Sequence, residues 1–376
     1  MARQLRILVT GGGTGGHVFP AIAIADAVKH LRPDTEFLFV GANGKMEMER
    51  VPKAGYPIEG LNIAGFQRGF SWNSLRRNLI FPFKLFGSAL KARRLVRRFR
   101  PDVVIGTGGY ASGPVMRAAQ QLGIPTLIQE QNSYAGITNR LLAKKAARIC
   151  VAYDEMDRYF PAEKIVFTGN PVRQDILSPG QKREEGYSYY GLAPGRKTIA
   201  VIGGSLGART LNQAMAESTA LLAVPGGVQV LWQCGRFYEY EYAASETAQL
   251  PNVRIMPFID RMDLLYAVAD LIISRAGALS ISELCLVGKP VILVPSPNVS
   301  EDHQTKNALA LVEKGAARLI RDAEAAEKML PEALMILGHD ALAFSLAESI
   351  HQIGRPKAAE AIAAEVLELA ETNKMI

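Results

Sequence analysis

The sequence predicts an α/β protein with two similar halves, each built on a parallel β-sheet. A buried strand, a glycine turn and a helix follow one another near the N-terminus, and the same order recurs from Val103 and from Thr198. The chain has 376 residues, more than one hydrophobic core normally organises. A hydrophobic content of 48% with regular strand and helix patterns excludes a disordered chain.

The first glycine turn, Gly11 to Pro20, reads GGGTGGHVFP. It follows the apolar run Leu5 to Thr10, long enough for one buried strand, and precedes the helix-forming run Ala21 to Val28. Glycines permit a sharp turn and a close approach to a ligand. The helix start then presents N–H groups that suit a diphosphate. We therefore expect this turn to line a ligand site.

The glycine spacing at residues 11–16 also fits the dinucleotide fingerprint, but the next strand argues against a nicotinamide cofactor. That predicted strand, Glu36 to Val40, runs into residues 41–44 (GANG), where no carboxylate is available for the ribose hydroxyls. His17 stands at the helix start, where it either takes part in the chemistry or merely caps and packs.

The cysteine content, the N-terminal sequence and the lengths of the apolar runs favour an intracellular protein without a membrane span. Cys150, Cys234 and Cys285 are far apart and lack metal-ligand spacing, which predicts a reducing cytoplasm and no disulfide framework. We expect no signal peptide, because the chain enters a strand almost at once. We also expect no membrane span, because no window holds about 18 uncharged apolar residues.

The net charge is a moderate +7. Positive charge is concentrated in one basic, aromatic segment. Residues 76–100 hold nine basic residues and no acidic one, and large apolar side chains are interleaved from Trp72 onward. This pattern suits an anionic membrane surface, with Trp72 to Arg98 as the contact. Nucleic acid is the competing partner, but no nucleic-acid motif accompanies the segment. An ordinary amphipathic surface helix is the alternative interpretation.

A second glycine turn follows the predicted strand at Val103. It contains Gly106, Gly108, Gly109 and Tyr110. Because parallel strands end at the same edge of a sheet, we expect the first two turns to face one crevice. Further strands of this half are predicted at residues 125–129, 148–152 and 165–168.

The second half begins after a predicted hinge at residues 169–173. Residues 178–197 are polar and rich in Gly, Pro, Lys and Glu, which predicts a linker or an exposed loop. A third glycine turn, residues 203–208, follows a strand at 198–202. Further strands are predicted at 228–233, 253–256, 271–274 and 290–294, with a helix at 280–286 and an amphipathic helix from about Pro356.

These motifs occur together, and in this order, in one enzyme family. They are GGTGGHVFPA (12–21), GTGGYASGP (106–114), EQN (130–132), GNPVR (169–173), GGSLGAR (203–209), SRAGALSISEL (274–284), and the pair Gln304 and Asn307. On these motifs the chain closely resembles the UDP-N-acetylglucosamine:lipid I N-acetylglucosaminyltransferases. That family converts lipid I to lipid II in bacterial peptidoglycan synthesis.

The resemblance implies a GT-B glycosyltransferase with two Rossmann-like domains and a deep cleft between them. Residues 1–172 with about 355–376 are then expected to bind the acceptor and the membrane, and residues 173–354 to bind UDP-N-acetylglucosamine. The implied reaction is inverting transfer of N-acetylglucosamine to the 4-hydroxyl of the muramoyl residue of lipid I, releasing UDP. The implied location is peripheral, on the cytoplasmic face of the bacterial inner membrane. No cofactor is implied.

The family's functional positions carry over to residues of this chain. Glu283 matches the glutamate that holds the uridine ribose, and Ser205 matches the serine that meets the donor diphosphate. Other donor contacts match Arg173, Ile259, Ala278, Leu279, Ser280, Ile281 and Ser282. Contacts to the N-acetylglucosamine match Gln304, Asn132, Thr14, Gly15 and Gly16, and the acceptor-diphosphate turn matches Gly106, Gly108, Gly109 and Tyr110. His303 stands beside Gln304 where a second glutamine is expected, which leaves open which of the two contacts the sugar.

The chemistry of direct displacement agrees with this assignment. The acceptor hydroxyl needs a base, and His17 is favoured because imidazole titrates near neutral pH. Glu130 is the other candidate base. Alternatively, its carboxylate has a structural role in its own loop. Helix starts at three glycine turns can stabilise the departing diphosphate, so no catalytic metal is expected. Asp260 and Asp263 have the wrong spacing for an Asp-x-Asp metal pair.

Two alternative functions remain open from the sequence. One is another UDP-sugar enzyme of the same architecture, such as a 2-epimerase or a glycolipid synthase. The other is a sugar-nucleotide-binding membrane scaffold without turnover. The basic, aromatic segment favours a lipid acceptor over a soluble epimerase.

Overall fold

The structure is a computed structural model that describes residues 4–63, 72–172, 176, 182–204, 206–299 and 302–374. For residues 72–84 and 373–374 it describes the backbone alone. The chain forms two compact units. Unit 1 comprises Met1–Val172 and Lys357–Ile376, and unit 2 comprises Arg173–Pro356.

Unit 1 contains a seven-stranded parallel sheet in the order β3-β2-β1-β4-β5-β6-β7. Its strands are β1 (Arg6–Thr10), β2 (Glu36–Ala42), β3 (Ile58–Leu61), β4 (Val103–Gly106), β5 (Thr126–Glu130), β6 (Arg148–Val151) and β7 (Ile165–Phe167). Its helices are α1 (Gly15–Leu31), α2 (Glu47–Lys53), α3 (Trp72–Phe99), α4 (Ser112–Gln121), α5 (Ile137–Ala143) and α15 (Ala358–Lys374). Short 3₁₀ turns lie at Met156–Arg158 and Ala162–Lys164.

Helices cover both faces of this sheet. On one face α1 packs against α15, and their apolar side chains share a core with Ile7 and Val9 of β1. On the other face α3, α4 and α5 form a second core around Leu8. Both faces of β1 are therefore buried, which is why its sequence is continuously apolar instead of alternating.

The strand register brings the functional loops of unit 1 to one edge. Thr10 of β1 pairs with Val40 of β2 and with Gly106 of β4. In the same parallel sheet, Glu130 of β5 pairs with Val151 of β6. The loops that follow β1, β4 and β5 consequently leave the sheet side by side.

Unit 2 contains a six-stranded parallel sheet in the order β10-β9-β8-β11-β12-β13. Its strands are β8 (Thr198–Ile202), β9 (Gln229–Gln233), β10 (Val253–Met256), β11 (Leu271–Ser274), β12 (Val291–Leu293) and β13 (Arg318–Leu319). Its helices are α6 (Arg183–Tyr190), α7 (Arg209–Ala216), α8 (Thr219–Leu222), α9 (Glu239–Ala243), α10 (Met262–Val268), α11 (Ala278–Val287), α12 (His303–Val312), α13 (Ala325–Leu337) and α14 (Asp340–Ile353). Further 3₁₀ turns lie at Thr247–Gln249 and Asp322–Glu324.

The prediction of a linker or loop at residues 178–197 is wrong for its middle part, which forms α6. Tyr187 and Tyr190 of this helix are buried, and Gly186 lies so close to α10 that a Cβ there would stand 2.5 Å from a methyl of Val268. Glu184 and Glu185 occupy the first turn, where carboxylates favour a helix start. The charged composition therefore belongs to a helix with one buried face.

Candidate active site

The first glycine turn leads from β1 directly into α1. Thr14 is the N-cap of α1 in an extended conformation, and its side chain makes no cap hydrogen bond. Gly13 has a φ of +91°, which favours glycine. The first helical turn holds no acidic residue, so the positive end of the helix dipole is not offset by a carboxylate from its own first turn.

The second glycine turn lies directly against the first. A Cβ on Gly109 would collide with the carbonyl oxygen of Gly12, and a Cβ on Gly108 would come within 3.1 Å of the His17 ring. Both glycines also have positive φ, of +78° and +100°. The two turns can touch because these positions carry no side chains.

His17 is held against the second turn through one ring nitrogen. Its Nδ1 lies 2.9 Å from the carbonyl oxygen of Thr107 and 3.1 Å from the Oε1 of Gln131. The hydroxyl of Thr107 in turn donates to the carbonyl oxygen of His17 at 2.8 Å. A carbonyl oxygen can only accept, so Nδ1 is the protonated nitrogen and the neutral ring carries its lone pair on Nε2.

Gln131 is oriented by a network of buried amides. Its Nε2 donates to the carbonyl oxygens of Thr107 (2.7 Å) and Gln129 (3.1 Å), and also to the side-chain oxygen of Gln129. Asn170 accepts from the Gln129 amide at 2.9 Å and donates to the Gln131 carbonyl at 2.9 Å. With its nitrogen facing three acceptors, the Gln131 amide directs its oxygen to His17.

The Glu130 carboxylate is buried and accepts four hydrogen bonds from the loop after β5 and from α5. Oε1 accepts from the backbone N–H of Asn132 (3.2 Å) and from the Asn132 amide (3.3 Å). Oε2 accepts from the backbone N–H of Gly136 (3.0 Å) and from the Asn139 amide (2.9 Å). This arrangement organises the loop after β5 and places Asn132 at its start.

Tyr110 packs its ring on the first turn. A Cβ on Gly13 would lie 3.1 Å from the tyrosine Cε1. Burial raises the pKa of Tyr110, and the nearby Glu47 carboxylate raises it further, so the phenol stays protonated at neutral pH. Tyr110 therefore presents a neutral hydroxyl beside the turn.

In unit 2 the third glycine turn again precedes a helix without acidic residues in its first turn, here α7. The backbone N–H of Gly204 donates to the Gln233 side chain at 3.2 Å, and Gly207 adopts a φ of +85°. A Cβ on Gly207 would collide with the carbonyl oxygen of Cys234. Ser205 and Arg173 lie outside the described residues.

Glu283 lies on α11, whose N-cap is Gly277 and whose first turn holds no acidic residue. The Tyr266 hydroxyl donates to Glu283 Oε2 at 2.9 Å, and Tyr266 itself is only 1% exposed. Glu283 is half-buried, as are Leu279, Ser280 and Ser282, whereas Ala278 and Ile281 face the core. The buried phenol thus fixes one carboxylate oxygen of Glu283.

The sugar-contact candidates of unit 2 lie at the start of α12. His303 is the first residue of that helix, and Gln304 follows, its side-chain oxygen accepting from the backbone N–H of Ser296 at 2.8 Å. Ile259 is buried in the loop after β10. Asn307 is fully buried, and its amide lies 3.5 Å from the carbonyl oxygen of Ala276.

Asp263 is engaged in ion pairs. Its carboxylate lies 2.9 Å from Lys182 Nζ and 2.9 Å from the Arg261 guanidinium. The hydrogen bonds from Arg261, followed by Lys182, hold its pKa well below the usual range. Within the described parts of the chain, no group of three His, Cys, Asp or Glu side chains is placed to hold a metal ion.

The basic, aromatic segment forms the long helix α3, whose side chains are described from Leu85 onward. Its inner face buries Ala92, Leu95, Val96 and Phe99. Its outer face exposes Phe86 (67%) and Leu90 (46%) together with Arg93, Arg94 and Arg97. On the same side of the sheet, α5 exposes Ile137 (54%) and Leu141 (80%).

No single helix among the described residues is both long and apolar enough to cross a membrane. One pair, Asp322–Leu337 with Asp340–Thr372, passes only in combination and is bent by 101°.

Glu47, Thr107 and Tyr266 are among the supporting residues that were not identified from the sequence as part of the site. Glu47 accepts hydrogen bonds from Gly13, Thr107 anchors His17, and Tyr266 anchors Glu283. Thr107 lies inside the motif at residues 106–114, so the sequence pattern could have indicated that it belongs to the site. Glu47 and Tyr266 lie between motifs, and their partners are brought to them only by the fold.

Comparison with known proteins identifies the chain's relatives. Residues 7–151 match the glycosyltransferase family 28 N-terminal domain, and residues 198–364 match the family 28 C-terminal domain. The crystal structure of Acinetobacter baumannii MurG has a TM-score of 0.77 and 31% identity, covering 97% of this chain and 99% of that one.

Two relatives share the same name, UDP-N-acetylglucosamine--N-acetylmuramyl-(pentapeptide) pyrophosphoryl-undecaprenol N-acetylglucosamine transferase. The protein of Bacteroides fragilis is 54% identical over 371 residues, covering 98% of this chain and 97% of the relative. That of Phocaeicola vulgatus is 52% identical over 373 residues, covering 99% and 98%. The two parallel-sheet units and the MurG likeness confirm the expected GT-B fold class. The chain belongs to glycosyltransferase family 28 and, within it, to the family of these N-acetylglucosamine transferases.

Proposed function

We propose that this chain transfers N-acetylglucosamine from UDP-N-acetylglucosamine to the 4-hydroxyl of the muramoyl residue of lipid I, with inversion, giving lipid II and UDP. The observation that carries the proposal is 54% identity over 98% of the chain to a relative named for this reaction. The site geometry is consistent with direct displacement and supports the residue roles proposed below.

His17 is the proposed base. In the displacement, the acceptor oxygen forms a bond to C1 of the sugar while the bond from C1 to the diphosphate breaks. The proton of the acceptor hydroxyl passes to Nε2 of His17, because Nδ1 already donates to Thr107. Glu130 is less suited to this role, because each of its oxygens already accepts two hydrogen bonds from the loop after β5 or from α5. We assign Glu130 to the positioning of Asn132.

The donor is proposed to bind unit 2. Two carboxylate oxygens can accept from a cis-diol, and the bond from Tyr266 orients Glu283 for the ribose. The diphosphate is proposed to lie at the starts of α7 and α11. Ser205, Arg173 and residues 278–282, which match donor contacts of the family, are proposed as further donor ligands. Backbone N–H groups at these helix starts would stabilise the charge that develops on departing UDP. Ile259 would contact the uracil, and Gln304 with Asn132 the N-acetylglucosamine.

The acceptor is proposed to bind unit 1. Its diphosphate would meet the second turn at Gly106, Gly108, Gly109 and Tyr110, whose protonated phenol is a hydrogen-bond donor. Thr14, Gly15 and Gly16 of the first turn would meet the transferred sugar. Because the helix starting there has no acidic first turn, an anionic substrate is not repelled by the helix itself.

The acceptor is a lipid, so we further propose that unit 1 docks on the cytoplasmic face of the bacterial plasma membrane. Trp72 to Arg98 is the proposed contact. The exposed Phe86 and Leu90 would enter the interface, and the exposed arginines of α3 would attract anionic lipid. Ile137 and Leu141 of α5 extend the apolar surface on the same side of the sheet.

Incubation of the purified chain with labelled UDP-N-acetylglucosamine and a lipid I analogue tests the proposal. The expected result is a labelled disaccharide product and UDP, both dependent on the acceptor. Release of UDP and a 2-epimerised sugar without acceptor would instead indicate an epimerase. Donor binding without turnover would indicate a scaffold. Either result contradicts the proposed function.

A further inference from the structure

Glu47, the first residue of α2, carries a fully buried carboxylate next to the first glycine turn. The backbone N–H of Gly13 lies 3.1 Å from its Oε2 and 3.3 Å from its Oε1. The backbone N–H of Ala42, at the end of β2, donates to Oε1 at 3.0 Å. One side chain therefore joins the turn after β1 to the end of the neighbouring strand.

The carboxylate occupies space that other side chains would need. A Cβ on Gly12 would collide with Glu47 Oε1, and a Cβ on Gly41 would lie 2.5 Å from Glu47 Cγ. These two glycines are required here by the Glu47 side chain, in addition to any requirement from a ligand. The fit leaves little freedom for the turn to shift while Glu47 remains in place.

We propose that Glu47 is a positioning residue for the transfer reaction, holding the first glycine turn so that His17 meets the substrate in the productive geometry. This inference rests on the proposed function, because it assigns the proton transfer to His17. Glu47 does not itself contact the reacting atoms. It acts through the backbone of Gly13 and the residues that follow it.

The path from Glu47 to His17 is short. Gly13 is followed by Thr14, whose carbonyl oxygen accepts from the backbone N–H of His17 at 3.1 Å and of Val18 at 3.2 Å. A shift of Gly13 would therefore move the first turn of α1. On the side where a Cβ would stand, Gly13 is closed by the Tyr110 ring. A displacement of about 1 Å at a reacting group can lower a rate about a hundredfold.

A buried carboxylate suits this task better than a neutral side chain. Burying a carboxylate is costly unless hydrogen bonds compensate it, and here the backbone N–H groups of Gly13 and Ala42 supply those bonds. In Glu47→Gln the volume is kept, and the amide oxygen can still accept from Ala42 and, at the longer distance of 3.3 Å, from Gly13. The NH₂ group that replaces Oε2, however, cannot accept the 3.1 Å bond from Gly13. That variant therefore weakens the hold of residue 47 on the turn without leaving a cavity.

The kinetic test compares Glu47→Gln with Glu59→Gln. Glu59 lies on β3 of the same unit and pairs with Arg98 at 2.7 Å, so its replacement removes the same charge at a partly exposed site. We expect Glu47→Gln to lower kcat about tenfold to a hundredfold while the KM for UDP-N-acetylglucosamine changes by less than about twofold. Glu59→Gln should leave both constants unchanged. An unchanged kcat in Glu47→Gln, or an equal loss in both variants, would overturn the proposal.

Amide hydrogen exchange tests the same contact without any activity. In the wild-type chain, the Gly13 amide should be protected to an extent similar to the β1 amides, although it lies in a turn. In folded Glu47→Gln, exchange of Gly13 should accelerate at least about tenfold while β1 keeps its protection. Exchange of the wild-type Gly13 amide at the rate of an open loop would overturn the proposal, even if the variant failed to fold. If the wild-type chain lacks transferase activity while Gly13 is protected, the proposed function is contradicted. The contact between Glu47 and Gly13 is still supported by that result.

Discussion

Nδ1 of His17 lies 2.9 Å from the carbonyl oxygen of Thr107, the residue that follows β4. Because that oxygen can only accept, the lone pair of the neutral imidazole lies on Nε2. Thr107 belongs to the second glycine turn, so the backbone of one motif fixes the tautomer of a side chain in another. The placement of His17 thus depends on the contact between the two turns.

His17→Ala should lower kcat about 10²- to 10⁴-fold, because the acceptor hydroxyl loses its proposed base. UDP affinity should stay nearly unchanged, since the proposed donor contacts lie in unit 2. The acidic limb of the pH–rate profile should also disappear, because protonation of His17 would no longer inactivate the base. Steady-state kinetics across the pH range check this. A variant that keeps the acidic limb would assign the base to another group.

Glu130→Gln separates the two base candidates. We expect a lower unfolding midpoint, because the new NH₂ group opposes N–H donors in the loop, at a cost of about 1 to 3 kcal/mol. The fall in kcat should be smaller than in His17→Ala. Thermal unfolding and initial rates, measured on the same preparation, check both statements. Loss of turnover as deep as in His17→Ala, with an unchanged unfolding midpoint, would make Glu130 the base.

Glu283→Ala should weaken donor recognition by about 2 to 3 kcal/mol, because it removes the proposed acceptor for the ribose hydroxyls and the acceptor of the Tyr266 hydrogen bond. The value of kcat/KM for UDP-N-acetylglucosamine should fall roughly a hundredfold. Tyr266→Phe is the matched control, since it keeps the carboxylate and removes the hydroxyl that donates to it. Its loss should be smaller. Normal kinetics in Glu283→Ala would show that the donor site lies elsewhere.

Acid should weaken unit 2 through Asp263. Arg261 and Lys182 hold the pKa of this carboxyl below its value in the unfolded chain, so its contribution to stability is fully present above the unfolded pKa. That contribution is lost progressively as pH falls below about 4 toward the folded pKa. In Asp263→Asn the stability should therefore fall less steeply over this range. Denaturant unfolding between pH 5 and pH 2 checks this, and parallel curves for the two proteins would contradict it.

Membrane binding should depend on both charge and apolar contact. Replacing Arg93, Arg94 and Arg97 with Gln should remove up to about 3 kcal/mol of attraction to anionic vesicles. The loss should shrink at high ionic strength, because salt screens these charges. Vesicle co-sedimentation measures it, with transfer to a short, water-soluble acceptor as the control. Equal loss of transfer to soluble and vesicle-embedded acceptors would indicate a role in the fold or the active site.

The strands flanking glycine turns could be predicted from sequence because they are buried on both faces and read as unbroken apolar runs. β8 was predicted with its observed bounds, Thr198–Ile202. β3 and β13 were missed. β3 includes Glu59 and Gly60, and β13 has only two residues, one of them Arg318, so neither forms a long apolar run.

Local sequence patterns also predict only part of the candidate site. His17 and Gln131 lie in motifs that could be recognised along the chain, but their contact joins residues 114 positions apart. Glu47 and Tyr266 lie outside the motifs, and only the packed structure brings them to Gly13 and Glu283. Local patterns predict the elements and many motif residues, whereas the supporting contacts depend on three-dimensional packing.

The configuration of the new glycosidic bond tests the central claim, inverting transfer to lipid I, most directly. In UDP-N-acetylglucosamine the sugar is α-linked, so a single displacement at C1 must give a β-linked disaccharide. Proton NMR of the product made from ¹³C-labelled donor and a lipid I analogue should show the large H1–H2 coupling of a β-linked sugar attached to the 4-oxygen of the muramoyl residue. An α-linked product, or attachment at another oxygen, would contradict the proposed reaction.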